Sequence, residues 1–324
     1  MSIPYSLLSL LADGRFHSGE ELGRALGVSR SAIWKQLKQL EKLQIPLFSV
    51  PGRGYQIPDG LALLDRESLL AHMGGADGRF DRIEIFPELD STNRYLLDRA
   101  RESPGQVAAC LAEYQSAGRG RRGRTWVSPF AANLYLSLLW PFAPGTGGLS
   151  GLSLAVALTV CEALEAMGLA AASLKWPNDI LVDGRKLAGI LLEIVGEAGG
   201  PCQVVIGIGL NVRMPKSQGQ GIDQPWVDLQ TVLGRLPCRN ELAGRVLSGL
   251  VRMLPRFERE GLAPLLQAWQ LRDGLMGRTV NLALPNETIP GRWAGIDSDG
   301  AGLLDTEQGR RRVLAGEVSL RLAS

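Results

Sequence analysis

The sequence predicts an α+β protein in three parts, and three observations predict it. Residues 1–60 hold three helical segments with a glycine turn between the second and third. From Arg82 to Leu210, short apolar strands alternate with helices around an Asp183-Gly184 hairpin signal, which argues for a mixed sheet with packed helices and against a doubly wound parallel one. The last fifty residues carry five short strands separated by turn residues, the pattern of a small SH3-like β-barrel. The expected divisions are 1–60, 64–270 and 275–324.

Composition frames these parts. A chain of 324 residues exceeds one ordinary core. With 45% hydrophobic and 21% charged residues it is an ordinary soluble chain, and a net charge of +2 is too small to argue for nucleic acid by itself. Cys110, Cys161, Cys202 and Cys238 form no C-x-x-C pair, and His17 and His72 are the only histidines, so a zinc site has few ligands. Reduced, buried thiols and a cytoplasmic location are expected. The N-terminus lacks a cationic signal region, and the apolar run 151–167 is interrupted by Glu162 and Glu165, so no membrane span is expected.

In the front part, Ile3, Leu7, Leu8, Leu10 and Leu11 make one amphipathic helix after Pro4. Ser18 and Glu21 form a capping box for a second helix that ends at Gly27. Ser29 caps a third, with Ile33, Leu37 and Leu40 as its apolar stripe. Two short strands follow, around Pro51-Gly-Arg-Gly54. This is a winged helix-turn-helix; a plain three-helix interaction module is the alternative. Arg30, Ser31 and Lys35 face outward at the end that would enter a major groove, with Arg53 at the wing tip. Trp34 neighbours the apolar stripe, so packing is the favoured reading, with a position facing the groove as the alternative. Seven Lys/Arg against five Asp/Glu in residues 1–60 is a small excess, so useful operator binding needs a homodimer.

In the central part, strands are expected at 82–86, 108–113, 134–140, 179–182, 186–194 and 204–210, with helices at 92–101 and 152–167. A two-residue turn at Asp183-Gly184 sets Leu181 against Lys186 and Asp179 against Ala188, which places Lys186 and Asp179 on one face. Lysine there offers a mobile positive charge for carboxylate or phosphate, and aspartate a ligand for a hard cation such as Mg²⁺. Ser91 stands at a helix N-cap position, which alone would account for it. The stretch Ser116-Ala-Gly-Arg-Gly-Arg-Arg-Gly-Arg-Thr-Trp126 packs three glycines and four arginines into eleven residues without an acid. It is suited to wrap an anion, through glycine backbone at positive φ and forked guanidiniums; a solvated basic loop or a sequence-blind nucleic-acid patch is the plainer alternative, and Trp126 with the apolar strand 134–140 favours a loop anchored to the core. Neither a Walker lysine motif nor a G-x-G-x-x-G before a helix is present.

Taken in order, Asp90-Ser-Thr-Asn93, the arginine loop, Lys175-Trp-Pro-Asn-Asp179, Lys186-Leu-Ala-Gly-Ile190 and Gly207-Ile-Gly-Leu-Asn211, behind a winged helix, closely resemble the bifunctional biotin protein ligases that also repress the biotin operon. The resemblance spans nearly the whole chain. It implies a class II synthetase-like ligase domain, ATP and biotin as substrates with Mg²⁺, a biotin carrier domain of a carboxylase and operator DNA as partners, and a homodimer in the adenylate-bound state. It further implies biotin contacts from Ser91, Thr92, Asn93, Gln115, Arg119, Gly120, Arg121 and Lys186. Nucleotide contacts are implied for Arg121, Arg122, Trp126, Asn178, Asn211 and Arg321, and catalytic roles for Lys186, Arg121 and Asp179, the last also toward Mg²⁺. Two rivals stay open: a biotin-sensing repressor without ligase activity, and a lipoate or octanoate ligase or transferase on the same fold. The polar Ser91-Thr92-Asn93 set suits a ureido ring better than an alkyl chain.

Overall fold

The computed structural model describes residues 3–41, 43, 45–143, 149–196, 201–284, 287–315 and 319–322. Helices α1 (Tyr5–Leu11), α2 (Gly19–Leu26) and α3 (Arg30–Glu41) bury Leu7, Leu8, Leu11, Leu22, Ile33, Leu37 and Leu40 in one small core. The capping box is made: Ser18 accepts from the Glu21 amide and Glu21 from the Ser18 amide. Gly27 ends α2 in the left-handed region at φ 66°, and Ser29 accepts from the Ala32 amide to open α3. Strands β1 (Phe48–Val50) and β2 (Gly54–Gln56) pair as the wing.

The central sheet orders its strands β3-β4-β5-β9-β8-β7-β6, from β3 (Arg82–Phe86), β4 (Ala108–Ala112), β5 (Leu134–Phe142), β6 (Ser173–Lys175), β7 (Asp179–Val182), β8 (Arg185–Gly196) and β9 (Cys202–Leu210). β3 and β4 are parallel and every other neighbour is antiparallel, so the sheet is mixed. Both faces are covered, and alternation sorts the residues. Ala109 and Leu111 of β4 enter the main core with the helices Leu152–Ala166 and Arg239–Glu260. Ala108 and Cys110 pack on Leu96, Leu97 and Ala100 of the helix Thr92–Glu102. The 22-residue helix Arg239–Glu260 was not anticipated, although Leu242, Val246, Leu250, Leu254 and Phe257 give it a helical stripe.

Five antiparallel strands lie between Thr279 and Leu322, and among the described residues their two end strands are not paired with each other, so the barrel is open there. Its Val280, Leu282, Trp293, Leu304 and Leu320 join the central core. The Trp176 indole donates to Gly300 O at 3.0 Å, and the Trp293 indole to Asp273 at 2.7 Å. The expected Pro285-Asn286 turn and Val318 lie outside the described residues.

The segment that follows the front part, at Ala62 and Leu64, is held by a buried charge pair. Arg239 and Glu113, 2% and 0% exposed, meet at 2.6 Å. Arg239 also donates to Ala62 O and Asn133 O, while Glu113 accepts from the Leu64 amide. Each charge is thus hydrogen-bonded beyond its partner, as a buried pair requires.

Several expectations need correction. Trp34 is 54% exposed, not packed, because the stripe at Ile33, Leu37 and Leu40 already fills the core face of α3. In the hairpin Leu181 does oppose Lys186, but a bulge before it sets Asp179 against Gly189 and Ile180 against Ala188, which is fully buried on the core side. Cys110 and Cys161 are buried, and burial pushes the Cys161 thiol up to about 12, whereas Cys238 is exposed. No helix among the described residues is long and apolar enough to cross a membrane.

Candidate active site

A cavity of about 920 Å³ opens on the sheet face that carries the helix Thr92–Glu102. On β9, Gly207 and Gly209 point to this face, and both are needed bare. A Cβ on Gly207 would stand 2.1 Å from Asn93 Oδ1, and one on Gly209 2.4 Å from the Trp126 ring. Gly189 is the cross-strand partner of Gly209, and the two make a flat patch under the indole. The spacing of Gly207-Ile-Gly-Leu-Asn211 is therefore that of one strand face cleared for two side chains.

The polar end of the cavity is a network. Thr92 donates through its amide at 2.8 Å and its hydroxyl at 3.1 Å to Gln115 Oε1, and Gln115 Nε2 donates to Ser128 at 3.1 Å. The Ser137 hydroxyl lies 2.7 Å from Thr92 Oγ1 and 2.6 Å from Asn93 Oδ1. Asn93 Nδ2 donates to Glu193 at 2.8 Å, and the other Glu193 oxygen pairs with Arg119 at 3.0 Å. Ser91 occupies the N-cap position of its helix but makes no cap hydrogen bond, so capping does not explain it.

The other end is cationic. Arg119, Arg121, Arg122, Arg124, Lys175, Lys186 and Arg278 line the cavity against Asp179, Asp183 and Asp223, an excess that fits a polyanionic ligand. Lys186 Nζ is 2.7 Å from Asp179 and 5.5 Å from the Trp126 ring centroid; Lys175 is 3.8 Å from the second Asp179 oxygen. Arg121 donates to Asn178 Oδ1 at 3.1 Å and to Ala315 O of the barrel at 2.6 Å. Burial pulls its pKa down and Asp179 opposes that.

The loop itself departs from expectation. Its left-handed residues are Arg122 at φ 58° and Gly123 at φ 69°, whereas Gly120 is extended. Gly118 is required for another reason: a Cβ there would stand 2.5 Å from Trp126 O. The loop closes through Gly120 N to Arg124 O at 2.7 Å and Trp126 N to Gly118 O at 2.9 Å.

Ser91, Thr92, Asn93, Gln115, Arg119, Gly120, Arg121, Arg122, Trp126, Asn178, Asp179 and Lys186 all line the cavity. Asn211 does not. It is buried behind the wall, where Nδ2 donates to Val227 O at 3.1 Å and more weakly to Lys186 O at 3.4 Å, so it props the strand that carries Lys186. Arg321 is in the last strand, backbone to backbone with Asn281, and its side chain lies outside the described residues. Arg30, Ser31, Lys35 and Arg53 are exposed on the winged helix, away from the cavity, and Arg53 stacks 4.2 Å from the Phe16 ring. Sequence reasoning missed Ser128, Ser137, Lys175, Glu193 and Arg278; only Lys175, inside a motif, carried a local signal. Trp126 Nε1 and Asn211 Oδ1 are buried without a hydrogen-bond partner among the described residues.

Mg²⁺ meets no protein cage here. Among the described residues no three acidic, His or Cys side chains cluster, and both Asp179 oxygens face ammonium groups. That donor set does not fit a resident cation; Asp179 is paired with Lys186 and Lys175 instead.

Residues 85–211 match the model of the Biotin/lipoate A/B protein ligase family, residues 5–56 an HTH domain, and residues 275–321 the Biotin protein ligase C terminal domain. The bifunctional ligase/repressor BirA of Escherichia coli (strain K12) is 42% identical over 99% of this chain and 98% of its own length. A biotin--[acetyl-CoA-carboxylase] ligase of Paracoccus denitrificans is 36% identical over 71% of this chain and 96% of its own. The structure of a biotin protein ligase from Aquifex aeolicus in complex with biotin and ATP superposes with a TM-score of 0.64 at 30% identity, covering 75% of this chain and all of that one.

Proposed function

The chain belongs to the biotin protein ligase family, in the branch that joins the ligase to a DNA-binding repressor, and we propose that it makes biotinyl-5′-AMP, passes the biotinyl group to a lysine of a carboxylase's carrier domain, and represses biotin-synthesis genes in its adenylate-bound state. One observation carries this reading. A single hydrogen-bonded network joins a small polar recess to a cationic rim, so the cavity has a place for a compact polar ring at one end and for phosphates at the other.

The recess offers Ser91, Thr92 and Asn93 to the ureido ring, with Leu191 and the Trp126 ring, beside the bare Gly207 and Gly209, along the chain of the acid. A biotin carboxylate oxygen attacks the α-phosphorus of ATP, and the bond to the β-phosphate oxygen breaks, releasing pyrophosphate. Lys186, steadied by Asp179, and Arg121, steadied by Asn178, stabilise the charge that grows in that step. The acceptor lysine then attacks the acyl carbon and AMP leaves. No enzyme nucleophile is needed. Closing the 118–126 loop over the adenylate keeps water out.

A homodimer in the adenylate-bound state belongs to the same reading. From Leu192 to Gly196 no strand pairs the outer edge of β8 among the described residues, and Ile194 there is 57% exposed. Such an edge supports self-pairing. Glu193, which holds Arg119, sits within it.

Mass spectrometry of a carrier domain incubated with ATP and biotin, lipoate or octanoate tests the chemistry. The expected result is one biotinyl adduct with biotin only. Labelling by the other acids would favour the lipoate branch, and no labelling would favour a sensor without ligase activity.

A further inference from the structure

The third helix turns one large aromatic side chain to solvent. Trp34 keeps 54% of its surface exposed, although an indole gains much from burial. Its position explains this: Trp34 follows Ile33 by one residue, a rotation of about 100° away from the buried stripe. Arg30, Trp34 and Lys38 then fall four apart in one row along the outer face, with Ser31 and Lys35 in the next row. Lys38 Nζ stands 5.7 Å from the indole centroid, a contact that steadies the ring. Trp34 lies in the N-terminal half of α3, the half that enters a major groove in this motif.

Neither folding nor ligase chemistry uses this ring. Among the described residues it belongs to no core cluster and lines no part of the cavity. The exposed cations of its own and the adjacent row match a phosphate backbone. Between two phosphate rows, the base edges of the major groove present one apolar group, the thymine methyl.

We propose that Trp34 is a base-reading residue, whose indole covers a thymine methyl in the major groove of each operator half-site while Lys35 and Lys38 meet flanking phosphates. The proposal rests on the reading of the front part as DNA-binding. It makes part of the specificity apolar, and therefore insensitive to salt, whereas lysine contacts act through counterion release.

The test uses the full chain with ATP and biotin to select duplexes from a random library, which fixes a half-site. Each thymine is then replaced singly by deoxyuridine, which removes the methyl and keeps the pairing. Affinities follow by fluorescence anisotropy at several salt concentrations for the wild type, Trp34→Ala and Lys35→Ala. One thymine per half-site should cost the wild type about fourfold on demethylation. The same replacement should cost Trp34→Ala nothing. Trp34→Ala should bind more weakly at an unchanged salt slope, whereas Lys35→Ala should lower that slope by about one per bound monomer. Because Trp34 is exposed, its variant should keep the wild-type unfolding midpoint. Equal deoxyuridine costs in wild type and Trp34→Ala, or no cost anywhere, overturn the assignment and leave DNA binding standing. Recovery of no duplex at all overturns the DNA-binding reading and the assignment with it.

Discussion

The Arg119 guanidinium sits 3.0 Å from the Glu193 carboxylate, whose second oxygen accepts from the Asn93 amide at 2.8 Å. One strand residue thus ties the arginine loop to the polar recess. Glu193→Gln keeps an acceptor for Asn93 and removes the charge facing Arg119. A half-exposed pair of this kind is worth roughly 1 kcal/mol, so biotin affinity should fall about fivefold with kcat little changed. Glu193→Ala also removes the carboxylate acceptor of Asn93 Nδ2, leaving it only the 3.4 Å contact to Leu191 O, and should lose more. Titration calorimetry with biotin reads both, and wild-type affinity in both variants would disconnect Glu193 from the site.

Lys186→Ala should cut adenylate formation about a hundredfold without unfolding the protein, since it removes a positioned charge from the reacting end. Lys186 is held at 2.7 Å by Asp179, and Lys175 at 3.8 Å remains to keep that carboxylate paired. Pyrophosphate release in a single turnover measures it; near wild-type release would remove Lys186 from the chemistry.

How much of this was legible in the sequence follows the range of each cause. The capping box at Ser18 and Glu21, the Asp183-Gly184 turn and the shared side of Lys186 and Asp179 are local, and local pattern gives them, although the ion pair between the two is seen only in the fold. The bulge at Leu187 has no residue signature, so the register at Ala188 differs by one step from that of a plain two-residue hairpin. Glu193 meets Asn93 across a hundred residues of chain, and Ser137 reaches the recess from β5, so only the folded sheet brings them in. For Trp34 the residue type favours burial and the helix phase favours the outer face, and the phase decides.

Arg121→Gly should loosen retention of biotinyl-AMP more than it slows its formation. The guanidinium spans the site mouth from Asn178 to Ala315 O of the barrel, and glycine breaks both contacts while freeing the loop backbone. Stray biotinylation of a bystander protein, quantified by blot, should rise. Loss of ligation with no free adenylate would show that loop closure is the wrong account.

Asp273 gives a pH dependence. Burial raises its pKa, against hydrogen bonds from the Leu275 amide and the Trp293 indole, so the folded protein binds this proton more tightly than the unfolded chain does. Stability from that proton is complete below the unfolded value of about 3.9 and lost as pH rises through the raised folded value. Asp273→Asn keeps an acceptor for Trp293 without a charge. Its unfolding midpoint should gain on the wild type as pH rises from 4 to 8, and a constant gap across that range would show that Asp273 is not destabilised as an anion.

Operator binding should need residues 1–58, fall steeply with salt and strengthen when ATP and biotin are present. Residues 1–60 hold seven basic against five acidic side chains, so one copy releases few counterions, and a dimer doubles that number and fixes the half-site spacing. The ligand reaches the dimer question through Arg119: its partner Glu193 lies in the outer stretch of β8 that has no paired strand among the described residues. An adenylate that orders the 118–126 loop therefore also steadies that edge, and if the edge pairs with a second copy, adenylate and operator must raise each other's affinity by the same factor. Carrier domain that still lacks biotin would consume the adenylate and relieve repression. Footprinting with and without ATP plus biotin checks the linkage: equal occupancy in the two conditions, or protection that survives deletion of residues 1–58, would leave a ligase whose winged helix is not under ligand control.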